Sequence, residues 1–106
     1  MNKILLLSAA ILTCSMSAWA ADQTAALKLA QKSGCLTCHT IDKKIIGPAW
    51  QEVGKKYAAD PAAAEQLAIK VKKGTQGTWG LIPMPPNVTV KNEDIKTLVA
   101  FILTLK

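Results

Sequence analysis

Cys35-Leu36-Thr37-Cys38-His39 puts two thiols and an imidazole within five consecutive residues. Two thiols at this spacing can add across the two vinyl groups of a haem and form thioether bonds, and C-x-x-C-H is the attachment pattern of c-type haem. The adjacent histidine can then offer a ring nitrogen to the iron. Cys35 and His39 are four residues apart, so one helical turn stacks them on one face.

Other chemistries of the same residues fit less well. A thioredoxin-like C-x-x-C pair sits in a βαβ context, and no strand pattern is legible here. Structural zinc takes four nitrogen or sulfur ligands; beyond the first twenty residues the chain offers only Cys35, Cys38 and His39. A disulfide between cysteines with two residues between them closes a strained ring.

The first twenty residues read as a secretory signal peptide: Lys3 in the n-region, a short apolar run from Ile4 to Leu12, and Ala18-Trp19-Ala20 as an A-x-A cleavage site. The run is too short for a membrane span. Cys14 follows Thr13, where a lipid-modification box has a small Gly or Ala, so the reading is cleavage after Ala20 rather than lipid anchoring. Residues 21–106 then form one domain, exported to a compartment where thioether attachment of haem takes place in bacteria. That domain is small and has few aromatics, Trp50, Tyr57, Trp79 and Phe101. A domain this size is marginal on its own side chains, and a buried haem would supply the missing apolar bulk.

Thirteen basic residues, all lysine, stand against seven acidic ones, for a formal net charge of +6. Lys3 is the only charge in the leader, so the domain keeps nearly all of that excess. A lysine-rich surface steers a protein towards acidic partners. Nucleic acid is set aside, because the chain is exported and its lysines are dispersed rather than clustered.

The elements that must position the motif are helical. Asp22 is an N-cap candidate for a helix to about Ser33, with Leu27 and Ala30 on one face and Leu29 beside them, and Gly34 turns the chain just before Cys35. Thr40 to Lys44 reads as loop. In Ile45-Ile46-Gly47-Pro48, glycine allows close backbone approach and proline fixes the turn. A ligating histidine usually donates its second N–H to a carbonyl or carboxylate, and Pro48 is a candidate acceptor, although an ordinary Gly-Pro turn explains the same residues. A short helix over 49–57 is weakened by Gly54. Asp60-Pro61 marks a helix start, and that helix runs to Lys73 and stops at Gly74 with Ala64, Leu67, Ala68 and Val71 as its apolar face. Residues 74–90 form a long Gly- and Pro-rich loop. Asn92 caps a last helix whose buried stripe is Ile95, Leu98, Val99 and Ile102, extended by Phe101 and Leu105.

An iron held by His39 has one more axial position. His39 is the only histidine, and Met1 and Met16 lie in the leader, so Met84 is the only methionine of the domain. A lone methionine is usually core filler. This one stands in Pro83-Met84-Pro85-Pro86, a stiff frame for a thioether. Met84 is therefore the candidate sixth ligand, with a lysine at high pH as its chemical rival. A neutral, soft thioether raises the reduction potential, and two filled axial positions keep substrates off the iron, which describes an electron carrier. An enzyme or gas-binding protein would need an open site and a polar distal group, and there is no second histidine to serve as one.

Taken in order, C-L-T-C-H, I-G-P-A-W, K-K-G-T-Q-G-T-W-G and I-P-M-P-P-N resemble the small bacterial class I cytochromes c of the cytochrome c-551 (cytochrome c8) type, over nearly all of residues 21–106. The resemblance implies an all-α class I cytochrome c fold, about four helices wrapped around one covalently bound haem c. It implies that Cys35 and Cys38 hold the haem, that His39 and Met84 ligate its iron, and that the Pro48 carbonyl accepts from His39. It further implies that Trp79 donates its indole N–H to a propionate, and that Asn87 hydrogen-bonds near the Met84 sulfur. Some relatives carry an arginine near a propionate where this chain has Lys70, a point charge rather than a fork of donors, and Trp50 stands where relatives often have Tyr or Phe. The expected protein is a periplasmic, monomeric, non-enzymatic one-electron shuttle, not embedded in the membrane and not a nucleic-acid binder. A cytochrome bc complex is the implied donor, and a nitrite reductase, a cytochrome c peroxidase or a terminal oxidase the implied acceptor.

Overall fold

The computed structural model describes residues 17–106, and for residues 17–22 the backbone alone. The leader's apolar run, Cys14, Met1 and Met16 lie outside the described residues. Among the described residues four α-helices follow one another: α1 (Ser17–Lys32), α2 (Trp50–Lys56), α3 (Ala63–Lys73) and α4 (Asn92–Thr104), with a single 3₁₀ turn at Cys35–Thr37 between α1 and α2. Among the described residues there is no strand; two isolated bridges pair His39 with Lys44 and Thr75 with Met84. No helix among them is long and apolar enough to cross a membrane.

α4 is the central element and packs against α1, α2 and α3. Its stripe is buried as its 3.6-residue period demands, with Ile95, Leu98, Val99 and Ile102 all inside. Ala30 of α1, Trp50 and Val53 of α2 and Leu67 of α3 close the core around it. Phe101 meets Trp50 edge to face, with ring centroids 6.2 Å apart.

Several boundaries differ from the sequence reading. α1 does not start at an Asp22 N-cap: the alanine-rich stretch from Ser17 to Ala21 is already helical and continues across the expected cleavage point. α3 begins at Ala63: the Asp60 side chain accepts from the Ala62 N–H at 2.9 Å and its carbonyl from the Ala63 N–H, so the capping signal organises a preceding turn. The buried face of α3 keeps Leu67, Ala68 and Val71 but begins with Ala63, and Ala64 is exposed. In α4 the N-cap is Lys91, with Asn92 as the first helical residue. Gly54 has a packing role besides its low propensity. A Cβ there would run into the Leu105 carbonyl oxygen and reach within 2.9 Å of the Ile102 carbonyl oxygen, so α2 crosses the end of α4 backbone to backbone.

Candidate functional site

The core opens on one side into a cavity of about 580 Å³, well within the range of small-molecule and cofactor sites. Every residue singled out in the sequence lines it: Cys35, Cys38, His39, Pro48, Trp79, Met84 and Asn87.

One wall is the motif. α1 ends with the Ser33 N–H on the Leu29 carbonyl, and the 3₁₀ turn follows, with the Cys38 and His39 N–H groups both donating to the Cys35 carbonyl, at 3.2 and 3.0 Å. Cys35 and Cys38 are half-buried free thiols. Burial pushes the Cys35 thiol above its usual range; a backbone hydrogen bond opposes this and the neighbouring Cys38 adds to it. His39 is buried, 9% exposed. Its Nδ1 lies 2.8 Å from the Pro48 carbonyl oxygen. A carbonyl only accepts, so Nδ1 carries a proton, and in the neutral ring that leaves the lone pair on Nε2. The ring also stacks on Trp50, with centroids 5.8 Å apart and planes at 24°. Gly47 makes this fit possible: a Cβ there would stand 2.6 Å from His39 Cε1 and 2.9 Å from Nδ1. The Gly47 N–H donates to the Cys38 carbonyl at 2.7 Å, tying the Gly-Pro turn to the motif.

The 74–90 loop supplies another wall. Thr75 and Met84 exchange two backbone hydrogen bonds, Thr75 N–H to the Met84 carbonyl at 3.0 Å and Met84 N–H to the Thr75 carbonyl at 2.9 Å. The Asn87 N–H donates to the Val71 carbonyl at 3.1 Å and so satisfies one of the open carbonyls at the end of α3. Gly74 sits at φ +81°, where a Cβ would lie 2.6 Å from the Met84 carbonyl oxygen. Beyond Met84's neighbours the loop tip is open to solvent, Leu81 being 97% and Ile82 67% exposed.

Apolar side chains of Leu67, Val71, Leu98, Val99 and Ile102 floor the cavity. Polar groups sit on its rim. Lys56 Nζ stands 5.3 Å from the centre of the Trp79 ring. Lys70 Nζ donates to the Tyr57 hydroxyl at 3.4 Å and lies 5.6 Å from that ring's centre. Among the described residues, neither the Trp79 indole N–H nor the Asn87 side-chain amide makes a hydrogen bond within the protein. The residues therefore fit haem c: two thiols on one turn, an imidazole whose Nδ1 is taken by a carbonyl, a thioether on the loop that lines the same cavity, an apolar floor and free donors at the rim.

The sequence reading did not find the Thr75–Met84 pairing, the second role of Gly74 or the tether between Lys70 and Tyr57. Gly74 was legible as a helix stop, which it also is. The pairing joins residues nine apart across an irregular loop and leaves no local pattern.

The cytochrome c family matches residues 24–106. The chain is 52% identical to cytochrome c-551 of Allochromatium vinosum over 79 residues, 74% of this chain and 84% of that protein. It is 41% identical to cytochrome c-551 of Pseudomonas aeruginosa over 92 residues, 87% of this chain and 85% of that one. The crystal structure of wild-type Nitrosomonas europaea cytochrome c552 superposes with a TM-score of 0.74 at 49% identity, covering 76% of this chain and 99% of that chain. With this four-helix arrangement around a haem-sized cavity, the chain belongs to the cytochrome c family as a c-551-type class I cytochrome c, a non-enzymatic electron carrier with one covalently attached haem c.

Proposed function

We propose that this protein is a periplasmic one-electron shuttle whose haem is joined to Cys35 and Cys38 and ligated by His39 and Met84. The convergence of all four side chains on one cavity wall or the other carries the reading. When bound, haem c supplies a ferric/ferrous couple; the rest is done by the chain. The Pro48 carbonyl fixes the His39 tautomer so that Nε2 is the donor atom. Stacking on Trp50 holds the ring orientation. Met84 offers a soft, neutral thioether that favours the reduced state, and its backbone pairing with Thr75 keeps that side chain at the cavity. The unpartnered donors of Trp79 and Asn87 serve a propionate and the Met84 sulfur. Lysines on the surface steer encounter with acidic redox partners. A cytochrome bc complex is proposed as donor, and a nitrite reductase, a cytochrome c peroxidase or a terminal oxidase as acceptor. Residues 1–20 are proposed as the export signal, removed after Ala20 to leave a monomeric domain.

The test is the visible spectrum of the reduced, mature protein before and after carbon monoxide. The reading predicts an unchanged spectrum, because Met84 holds the sixth position. A complete shift to a carbonyl spectrum would show an open iron and defeat the carrier reading.

A further inference from the structure

The loop that bears Met84 is closed at its start by the Thr75–Met84 backbone pair, and its Trp79 packs against the core. Its return to α4 is tied by one backbone bond, Asn87 to Val71, by the packing of Val90 against the core, and by hydrogen bonds from one other side chain. That side chain is Lys72. From the last turn of α3 its Nζ donates to the Val90 carbonyl at 2.9 Å and reaches the Val88 carbonyl at 3.4 Å. Lys72 is half-buried, whereas its neighbour Lys73 is exposed. A single ammonium thus bridges two carbonyls of a segment that has no regular structure and begins four residues after Met84. Carbonyls gain more from a charged donor than from a neutral one, and the contact is too specific for a lysine that only solvates a helix end.

We infer that Lys72 is a positioning residue that keeps the Met84 loop shut, and that its ammonium governs how often the thioether leaves the iron. This rests on the proposed His39/Met84 ligation. Lys72 touches neither ligand. It acts through the 88–90 backbone, which sets how far the segment carrying Met84 can swing from α3.

The experiment uses the mature ferric holoprotein and measures the rate at which added imidazole replaces Met84, together with the denaturant midpoint. Lys72→Gln is expected to raise the replacement rate about tenfold, which corresponds to about 1.4 kcal/mol in the opening equilibrium. Lys72→Arg, which keeps a charged donor of similar reach, is expected to stay within about threefold of the parent protein. Lys73→Gln, one residue away with the same charge change, is expected to match the parent. The inference is overturned if Lys72→Gln changes the rate less than threefold, if Lys73→Gln raises it equally, or if the rise is no larger than the loss of global stability accounts for. If instead the parent protein lacks the red absorption band of a ferric iron–thioether bond, the ligation reading fails, and this inference with it.

Discussion

His39 and Met84 line the same cavity, but they are fixed by unlike means. His39 is held by its side chain: Nδ1 on the Pro48 carbonyl, the ring against Trp50, the Gly47 backbone pressed to its edge. Of these, Trp50 belongs to the packed core, and the Gly47-Pro48 turn runs straight into it through the buried Ala49 and Trp50. Met84 is held by its main chain, through two hydrogen bonds to Thr75, in a loop whose tip at Leu81 and Ile82 is exposed. A side chain gripped on three sides has one orientation. A residue gripped at its backbone can be released when the loop opens, without disturbing the core. The His39 side is therefore the permanent wall of the site, and the Met84 side is the one through which a foreign ligand would gain access.

The sharpest break of this contrast removes the permanent wall's anchor. Replacing Cys35 and Cys38 together by Ala should abolish covalent haem, leaving a small domain with a cavity of about 580 Å³ at its centre and too little core to stay folded. Haem staining on a denaturing gel and helical circular dichroism should both be lost.

Gly74→Ala attacks the other wall. The new Cβ would stand 2.6 Å from the Met84 carbonyl oxygen at a φ of +81°, so strain and overpacking together should cost about 2–4 kcal/mol. Haem should stay attached, but the reduced protein should begin to bind carbon monoxide. Gly47→Ala presses on His39 instead, 2.6 Å from Cε1, and should cost about 1–3 kcal/mol in a denaturant titration. Because the Met84 loop is untouched, carbon monoxide should still be refused. If the two variants behaved alike towards carbon monoxide, the difference between the walls would be lost.

The smallest effect belongs to a contact outside both walls. Lys55 and Glu52 form a single exposed ion pair at 3.4 Å, and both side chains are more than half exposed. Glu52→Gln should change stability by no more than about 0.5 kcal/mol and leave the spectra as they were.

What was legible from sequence followed the same division. The motif wall is local, so the spacing of Cys35, Cys38 and His39 and the Gly47-Pro48 turn carried most of it. α4 was legible because four apolar residues at helical spacing meet a core on one side only. The α3 face was legible at Leu67, Ala68 and Val71, and it missed only at its start, since Asp60-Pro61 organises a turn before the helix and the buried alanine is Ala63, not the chemically alike Ala64. The loop wall was the least legible. Its restraints are backbone bonds and a lysine amine reaching from α3 to Val88 and Val90, sixteen and eighteen residues on, and neither leaves a periodicity to read.

The most direct test of the account is the proton NMR spectrum of the reduced mature holoprotein, assigned at the Met84 methyl group. Ligation opposite His39 predicts that this methyl resonance lies far upfield, in the ring-current field of the haem, and that it disappears in Met84→Leu. A Met84 methyl at the ordinary position of a protein methionine would contradict the account, because the thioether would then not be on the iron.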